Sequence, residues 1–477
     1  MGRLFDFLET GFEVGEKTEM TKRIQKKTRG LGPRPSGRFN ANTQLNPEFS
    51  CNVMSKRRKR RGPVASHKMC STISAGAAVV DITPPLEVGL LTSSVKETWA
   101  PFQSVRSPLK ARVLFLQFGR ERIALLSLDL LGLTGAAVGG WTRFKRSLAR
   151  ATSMAPNRIV ITCTHTHNGP ESVAITNLYR SKLFRRWLRE VEGKLARAIK
   201  NAAAEVQPCT LSCAATELRG FSLQRRIPTP RGIVMSDSVQ PITPALMRRG
   251  PIDRRVHGIF LRDPTGRCVA TIIHAACHPV HEMCLPQISA DFPGELCAAL
   301  ESTSDYVVPI FFNGAAGDIN PPTVSGGAKC ARRHGQALAQ VIERTIQKAR
   351  TVGIDFIAFK NSTVHLPARS LGKNRGPQSC VAHLNALRLG SLAMVFVPGE
   401  LFVETALAIE RASPFNRTLV IGFAESSIGY VPTRKAFREG GYEIGPGKWS
   451  FLQAGAESIL RREIVSLLRE LWKVKPT

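Results

Sequence analysis

Acidic side chains are scarce in this chain: 36 Asp and Glu face 67 Lys and Arg, giving a formal charge of +31. An excess of that size points first to nucleic acid or to an anionic membrane surface. Its distribution is informative. Residues 1–70 hold 16 Lys and Arg and 6 Asp and Glu, a net of +10, so +21 is spread over the remainder. No nucleic-acid recognition motif accompanies the charge, so specific nucleic-acid binding is not expected.

Long apolar runs are missing too. None reaches the roughly 20 residues needed to span a bilayer, which excludes an integral membrane helix. The eleven cysteines form no CxxC pair and no regular spacing, which excludes a zinc knuckle or a disulfide framework. Buried thiols are expected instead. The opening stretch "MGRLFDFLETGFEVGEKTEM" has no basic start, apolar segment or small-residue cleavage site. Asp6 spoils the Met-Gly start as a myristoylation signal, and the location expected by default is cytoplasmic.

What is present is the composition of a globular protein, 43% hydrophobic and 22% charged. From about Lys17 to Lys68 the chain is polar, rich in Pro, Gly and Asn, and carries "SKRRKRRGP". No apolar periodicity survives there, so residues 1–70 are expected to be a basic, disordered tail and 71–477 the folded domain. A solvated tail is the plain reading of the basic run; contact with an anionic surface is the other.

From "AGAAVVDITPP" onward short apolar runs alternate with amphipathic stretches. "ARVLFLQFG", "RIALLSLDLLGL", "RIVITCTH", "CVATIIHAACHP", "YVVPIFFNGAAGD" and "LAMVFVPGE" have the Val, Ile, Leu and Phe content of buried strands and end in turn residues. Helical spacing is clearest from Ser181 to Val206 and recurs over 331–349, 401–412 and 456–471. The pattern predicts an α/β layered domain: a central mixed, or mostly parallel, β-sheet flanked by helices.

The strand ends carry the chemistry. Alternate residues of a strand share a face, so Ile159, Ile161, Cys163, His165 and His167 are expected on one side, with both imidazoles beyond the strand end. Such a pair can offer a metal one or two ligands; a structural histidine bound to a backbone carbonyl is the alternative. Other strand ends deliver Asp129, His278, Asn313, Asp318, Asn320 and Glu400, several beside Pro or Gly. Ligands in open α/β sheets bind beyond the carboxyl ends of strands. Two histidines and a glutamate from separate strand ends make a catalytic zinc set with a position left for water. Of only four tyrosines, Tyr430 and Tyr442 share one glycine-rich stretch, "SSIGYVPTRKAFREGGYEIGPGKWS". A phenol in a cleft can ligate a metal or donate to an oxyanion.

In order along residues 75–472, "AGAAVVDITPP", "LLSLDLLGL", "THTHNGP", "ACHPVH", "GAAGDINPP", "VPGE", "GYVPT", "GGYE" and "LQAGAESIL" resemble the neutral ceramidase family of zinc amidases. The resemblance implies Zn2+ held by His165, His278, Glu400 and Tyr430. It implies proton transfer by His167 and oxyanion stabilisation by Tyr442 and Arg225, with Arg226 as the alternative arginine. His274 and His281 would then be supporting or structural. The implied reaction is hydrolysis of an N-acyl bond by metal-activated water, ceramide giving sphingosine and a fatty acid. A lipid amide is the implied partner, with peripheral contact to a membrane surface; the family is often secreted or membrane-associated. Two departures stand out. Asn320 replaces the serine usual in "GDINPP", which favours water over a serine nucleophile, and the family's C-terminal β-sandwich is expected to be absent. Another amide, an ester or an acylated carbohydrate is the nearest alternative substrate. A non-catalytic basic protein binding nucleic acid or anionic lipid is the alternative of another class.

Overall fold

The computed structural model describes residues 73–89, 100–303, 305–370 and 378–475. The tail expected over 1–70 lies outside these residues. Eight strands build the larger sheet: β1 (Ile73–Asp81), β2 (Lys110–Phe118), β3 (Glu121–Leu128), β4 (Ile159–Cys163), β5 (Gln207–Glu217), β6 (Arg255–Arg262), β7 (Cys268–Ala275) and β8 (Pro309–Asn313). Their spatial order is β8-β7-β6-β5-β1-β2-β3-β4, and the short strand Arg350–Thr351 also pairs with β5. The expected mixed sheet is present. Only β3–β4 and β7–β8 are parallel neighbours, so antiparallel pairing dominates over the mostly parallel alternative. Tight turns explain this. Gly119-Arg120 joins β2 to β3 with Gly119 at φ 58, and "DPTG" joins β6 to β7; connections this short make antiparallel hairpins.

A second sheet covers one face of the first. It comprises β9 (Ile357–Ala368), β10 (Gln378–Leu389), β11 (Leu392–Phe396) and β12 (Arg417–Ile421) in that order, the last pair parallel. Strand alternation divides the core accordingly. Leu114, Leu116, Leu125 and Val160 face Leu387, Met394, Phe396 and Ile421 between the sheets. Val113, Phe115, Leu126 and Ile161 face outward onto helices.

Those helices include α1 (Trp141–Thr152) and α2 (Lys182–Ala204) over one half of the larger sheet, and α3 (Asp291–Glu301) and α4 (Ala328–Ile346) over the other. On the outer face of the smaller sheet lie α5 (Val403–Ala412) and α6 (Ala456–Lys473). The result is four layers, helix–sheet–sheet–helix. In α2 the Ser181 side chain caps the start by accepting from Phe184 N, and Phe184, Trp187, Leu188, Val191, Leu195 and Ile199 bury one stripe. No described helix is long and apolar enough to cross a membrane.

The larger sheet curls until its two edges approach each other. Asn313, at the end of β8, donates through its amide to Thr164 O just beyond β4 (3.1 Å) and to Cys277 O just beyond β7 (3.0 Å). Ser127 Oγ on β3 donates to Phe311 O on β8 (2.7 Å). Residues 422–425, following β12, fill the seam: Gly422 N donates to Asn313 O, Cys163 N to Phe423 O and Glu425 N to Ile161 O. Segments from β4, β7, β8 and β12 are thereby gathered at one place.

Candidate metal centre

The seam collects the histidines. β4 ends at Cys163, and His165 has φ 73. Strand alternation therefore does not extend to His165 and His167; a left-handed turn carries them into the seam instead. Such a backbone costs roughly 1–3 kcal/mol and must be held by its surroundings. His165 N donates to Leu130 O (2.9 Å), its Nδ1 bonds Leu131 O (2.6 Å), and its ring stacks on Phe423 with centroids 4.1 Å apart. His278 is held similarly, with Nδ1 on Ala316 O at 2.6 Å. A carbonyl only accepts, so each Nδ1 carries the proton and each Nε2 presents a lone pair.

Both lone pairs meet one carboxylate oxygen. Glu400 Oε2 lies 3.4 Å from His165 Nε2 and 3.3 Å from His278 Nε2. Its placement depends on two glycines. Gly399 has φ 134, and a Cβ there would lie 2.7 Å from Gly429 O; at Gly317 a Cβ would lie 2.5 Å from Glu400 O. His167 joins the group: ligand atoms of His165, His167 and His278 all lie within 4.8 Å of one another.

Electrostatics sets the protonation states that a metal requires. Burial, with the Arg225 cation adjoining, pushes His278 down to about 4, so it is neutral at pH 7. Burial also holds His167 well below its ordinary value, with His165 and His278 adding to the effect. Burial alone would raise Glu400, but its two histidine neighbours outweigh that and hold it well below the usual carboxylate range.

These residues fit a divalent metal. Two imidazole lone pairs that each approach one carboxylate oxygen to 3.3–3.4 Å are repelled by it unless a cation or shared proton lies between them. Ligands about 2.0–2.1 Å from a tetrahedral zinc lie about 3.3 Å apart. The buried Nε2 atoms of His165 and His167 and Oε2 of Glu400 have no hydrogen-bond partner among the described residues.

The other expected residues divide into two groups. Tyr430 OH accepts from Arg225 Nη2 (2.9 Å), and Arg225 Nη1 lies 3.3 Å from His278 Nε2 and 3.4 Å from Asn320 Oδ1. Burial raises the Tyr430 phenol well above its ordinary value against the pull of Arg225. Of the two candidate arginines, Arg225 therefore faces the cluster, while Arg226 turns to Gly440 O (2.7 Å). Tyr442 packs edge-on to Tyr430, stacks on Trp449 and is 46% exposed. A cavity of about 250 Å³ takes polar lining from His165, His167, Glu400, Tyr430 and Tyr442, and apolar lining from Leu131, Val173, Ile175, Trp449 and Phe451. Arg225 is not part of its wall.

The remaining polar strand-end residues support the frame. Asp129 pairs with Arg112 (3.3 Å), and Asp318 accepts from Gln224 Nε2 and Val403 N (both 2.8 Å). His274 binds Val420 O through Nε2 (3.0 Å). Two contributors escaped the sequence reading: Phe423, which stacks on His165, and Glu443, which clamps Arg225 at 2.8 Å. Only Glu443 had a signal, as the residue after Tyr442 in "GGYE".

His281 sits apart, with Nδ1 2.7 Å from Thr323 Oγ1 and Nε2 3.0 Å from His334 Nδ1. Burial pushes it down to about 4. With a folded value below the unfolded one near 6.5, its contribution to stability is present above about pH 6.5 and lost as pH falls toward 4. The loss is on the order of 3 kcal/mol. Denaturant midpoints of metal-free protein should fall over that interval, and His281→Gln should flatten the fall. An unchanged pH slope in that variant would remove His281 from the account.

Fold and site together define a class: a four-layer α/β protein with a histidine and carboxylate donor cluster at the seam of its curled sheet. Among solved structures, the chain is similar to neutral ceramidase from Pseudomonas aeruginosa at 17% identity and a TM-score of 0.67, over 85% of this chain and 75% of that one. It is similar to a ceramidase complexed with C2 at the same identity and TM-score, over 85% and 76%. The chain has the fold of neutral ceramidase. No protein-family model and no curated protein sequence matches it.

Proposed function

We propose that this protein is a zinc-dependent hydrolase of N-acyl bonds, acting on ceramide or a related lipid amide. The observation that carries the reading is that His165 Nε2 and His278 Nε2 each lie 3.3–3.4 Å from Glu400 Oε2, with His165 and Glu400 lining a cavity with apolar walls. The ceramidase fold supports the choice of an amide as substrate. His165, His278 and Glu400 would hold the metal with Tyr430, and His167 is near enough to join them. Bound there, zinc supplies a Lewis acid and lowers the pKa of water toward about 7.

The protein's own groups do the rest. The apolar wall of Leu131, Val173 and Ile175 receives the acyl chain and excludes water from it. His167, neutral at pH 7 and with its Nε2 unengaged, accepts a proton from the attacking water and returns it to the leaving nitrogen. Tyr442 donates its hydroxyl to the oxyanion. Arg225 acts from behind Tyr430, where its charge favours negative charge in the cavity without touching the substrate.

The test is metal analysis of the purified protein, coupled to fatty-acid release from a panel of N-acyl substrates. One zinc per chain and release from ceramide are expected, whereas full activity after metal removal would reject the reading. Tyr442→Phe is expected to keep its metal and lose about 10²–10³ in kcat, as removal of an oxyanion donor does. Wild-type kcat in that variant would take the role from Tyr442.

A further inference from the structure

Beside the catalytic cavity lies a second pocket, of about 350 Å³, whose lining shares Ala136 with the first. Arg143 from α1, Arg180 from the turn before α2, and Arg185 and Arg189 from α2 contribute to it, together with a single carboxylate, Glu192. That carboxylate is engaged, since Arg143 binds it at 3.2 Å and donates to Gly139 O as well. Among the described residues, the Arg180 side chain donates to the hydroxyl of its neighbour Tyr179 alone. Arg185 and Arg189 are exposed and form no ion pair among the described residues, although Arg186 on the same helix pairs with Glu190.

Arginines are common all over this chain, so abundance alone means little. What separates these four is that three elements turn them into one concavity whose lining carries a single acid, itself paired with Arg143. We infer that this pocket binds the phosphate of an anionic lipid headgroup, so that the mouth of the catalytic cavity rests on a bilayer. Guanidinium forks match phosphate geometry, and several around one hollow bind it with charge-assisted hydrogen bonds. The choice of lipid over a soluble phosphate rests on the acyl-amide reading above and on Leu183. That side chain is 48% exposed within the first turn of α2, among Lys182, Arg185 and Arg186. An apolar tip inside a basic ring suits insertion between headgroups.

The test is sedimentation of the full-length protein with vesicles of phosphatidylcholine alone or mixed with phosphatidylglycerol. Binding is expected only to the mixed vesicles and should weaken with salt. Arg185→Glu with Arg189→Glu should weaken it more than about tenfold, since each basic residue near an anionic surface is worth about fivefold. A charge-matched control further along α2, Arg197→Glu with Lys200→Glu, should bind as wild type. The basic N-terminal residues are unchanged in both, so their contribution cancels. Equal losses in the two double variants would reduce the effect to overall charge and overturn the inference. Glycerol 3-phosphate that competes for the pocket as well as vesicles do would make the ligand soluble, and a short DNA duplex with the same dependence on Arg185 and Arg189 would make it nucleic acid; either overturns the lipid assignment. His165→Ala, which tests the hydrolase reading, should bind vesicles normally, so the two proposals can fail separately.

Discussion

His278→Ala is expected to lose bound metal and hydrolysis together, with metal affinity falling by more than about a hundredfold. That bound follows because even the outer partners of metal ligands are worth 10- to 100-fold, and the proposed function makes His278 a direct donor. Its ring is 1% exposed and fixed by Ala316 O, and its Nε2 faces Glu400 at 3.3 Å. Alanine leaves the carboxylate with one imidazole neighbour instead of two. His165→Ala should behave alike, and because alanine keeps the Cβ that makes a backbone at φ 73 costly, the change relieves no strain there. Metal content by atomic emission, read with near-ultraviolet circular dichroism to verify folding, decides the matter. A folded His278→Ala protein with one tightly held metal per chain would mean that His278 is not a ligand.

The histidines and Glu400 were legible because each lies just beyond a short, buried, mostly apolar strand and next to a turn signal. Burial of the strand and abrupt polarity at its end are both local properties of the sequence. The second sheet was harder to read. Its strands β9 and β10 alternate buried and exposed residues and carry Lys360, Asn361, Ser362 and Thr363 on their way, so a search for unbroken apolar runs passes over them. α1 and α3 were missed for a related reason. α1 begins after two glycines without a side-chain cap, and α3 contains Pro293 and Gly294, residues that read as loop.

Closure of the seam was not legible at all. It rests on contacts such as Asn313 to Thr164, separated by 149 positions, and no local pattern announces them. The same distance hides what holds His165 in place. Its φ of 73 is sustained by Phe423 and Leu131, one of them from the far end of the chain. Alternation brought the sequence reading to residues that the structure gathers at the seam, by a geometry that the backbone does not adopt.

Glu443→Gln is expected to destabilise the protein by about 3–5 kcal/mol, the usual cost of removing one partner from a buried ion pair, out of a total that for globular proteins is about 5–15 kcal/mol. Glu443 is fully buried and divides its carboxylate between Arg225 Nε (2.8 Å) and Arg226 Nη1 (2.5 Å). Glutamine keeps the volume and one acceptor but not the charge. Arg226 retains Glu439 at 3.5 Å and Gly440 O, whereas Arg225 is left facing Tyr430, Asn320 and His278 with no acid. Burial would raise the Glu443 carboxyl, but the two arginines outweigh it and the value falls below that of a free glutamate. Its contribution is therefore present above about pH 4.3 and lost as pH drops through the lowered folded value. Denaturant titration at neutral pH measures the cost. Adding Arg225→Met should return part of the stability, because the stranded cation is gone, without returning activity, because Tyr430 has lost its donor; a double-mutant cycle isolates the coupling. A Glu443→Gln protein within about 1 kcal/mol of wild type would mean that solvent or backbone already balances Arg225, and the clamp would then be geometry without energetic consequence.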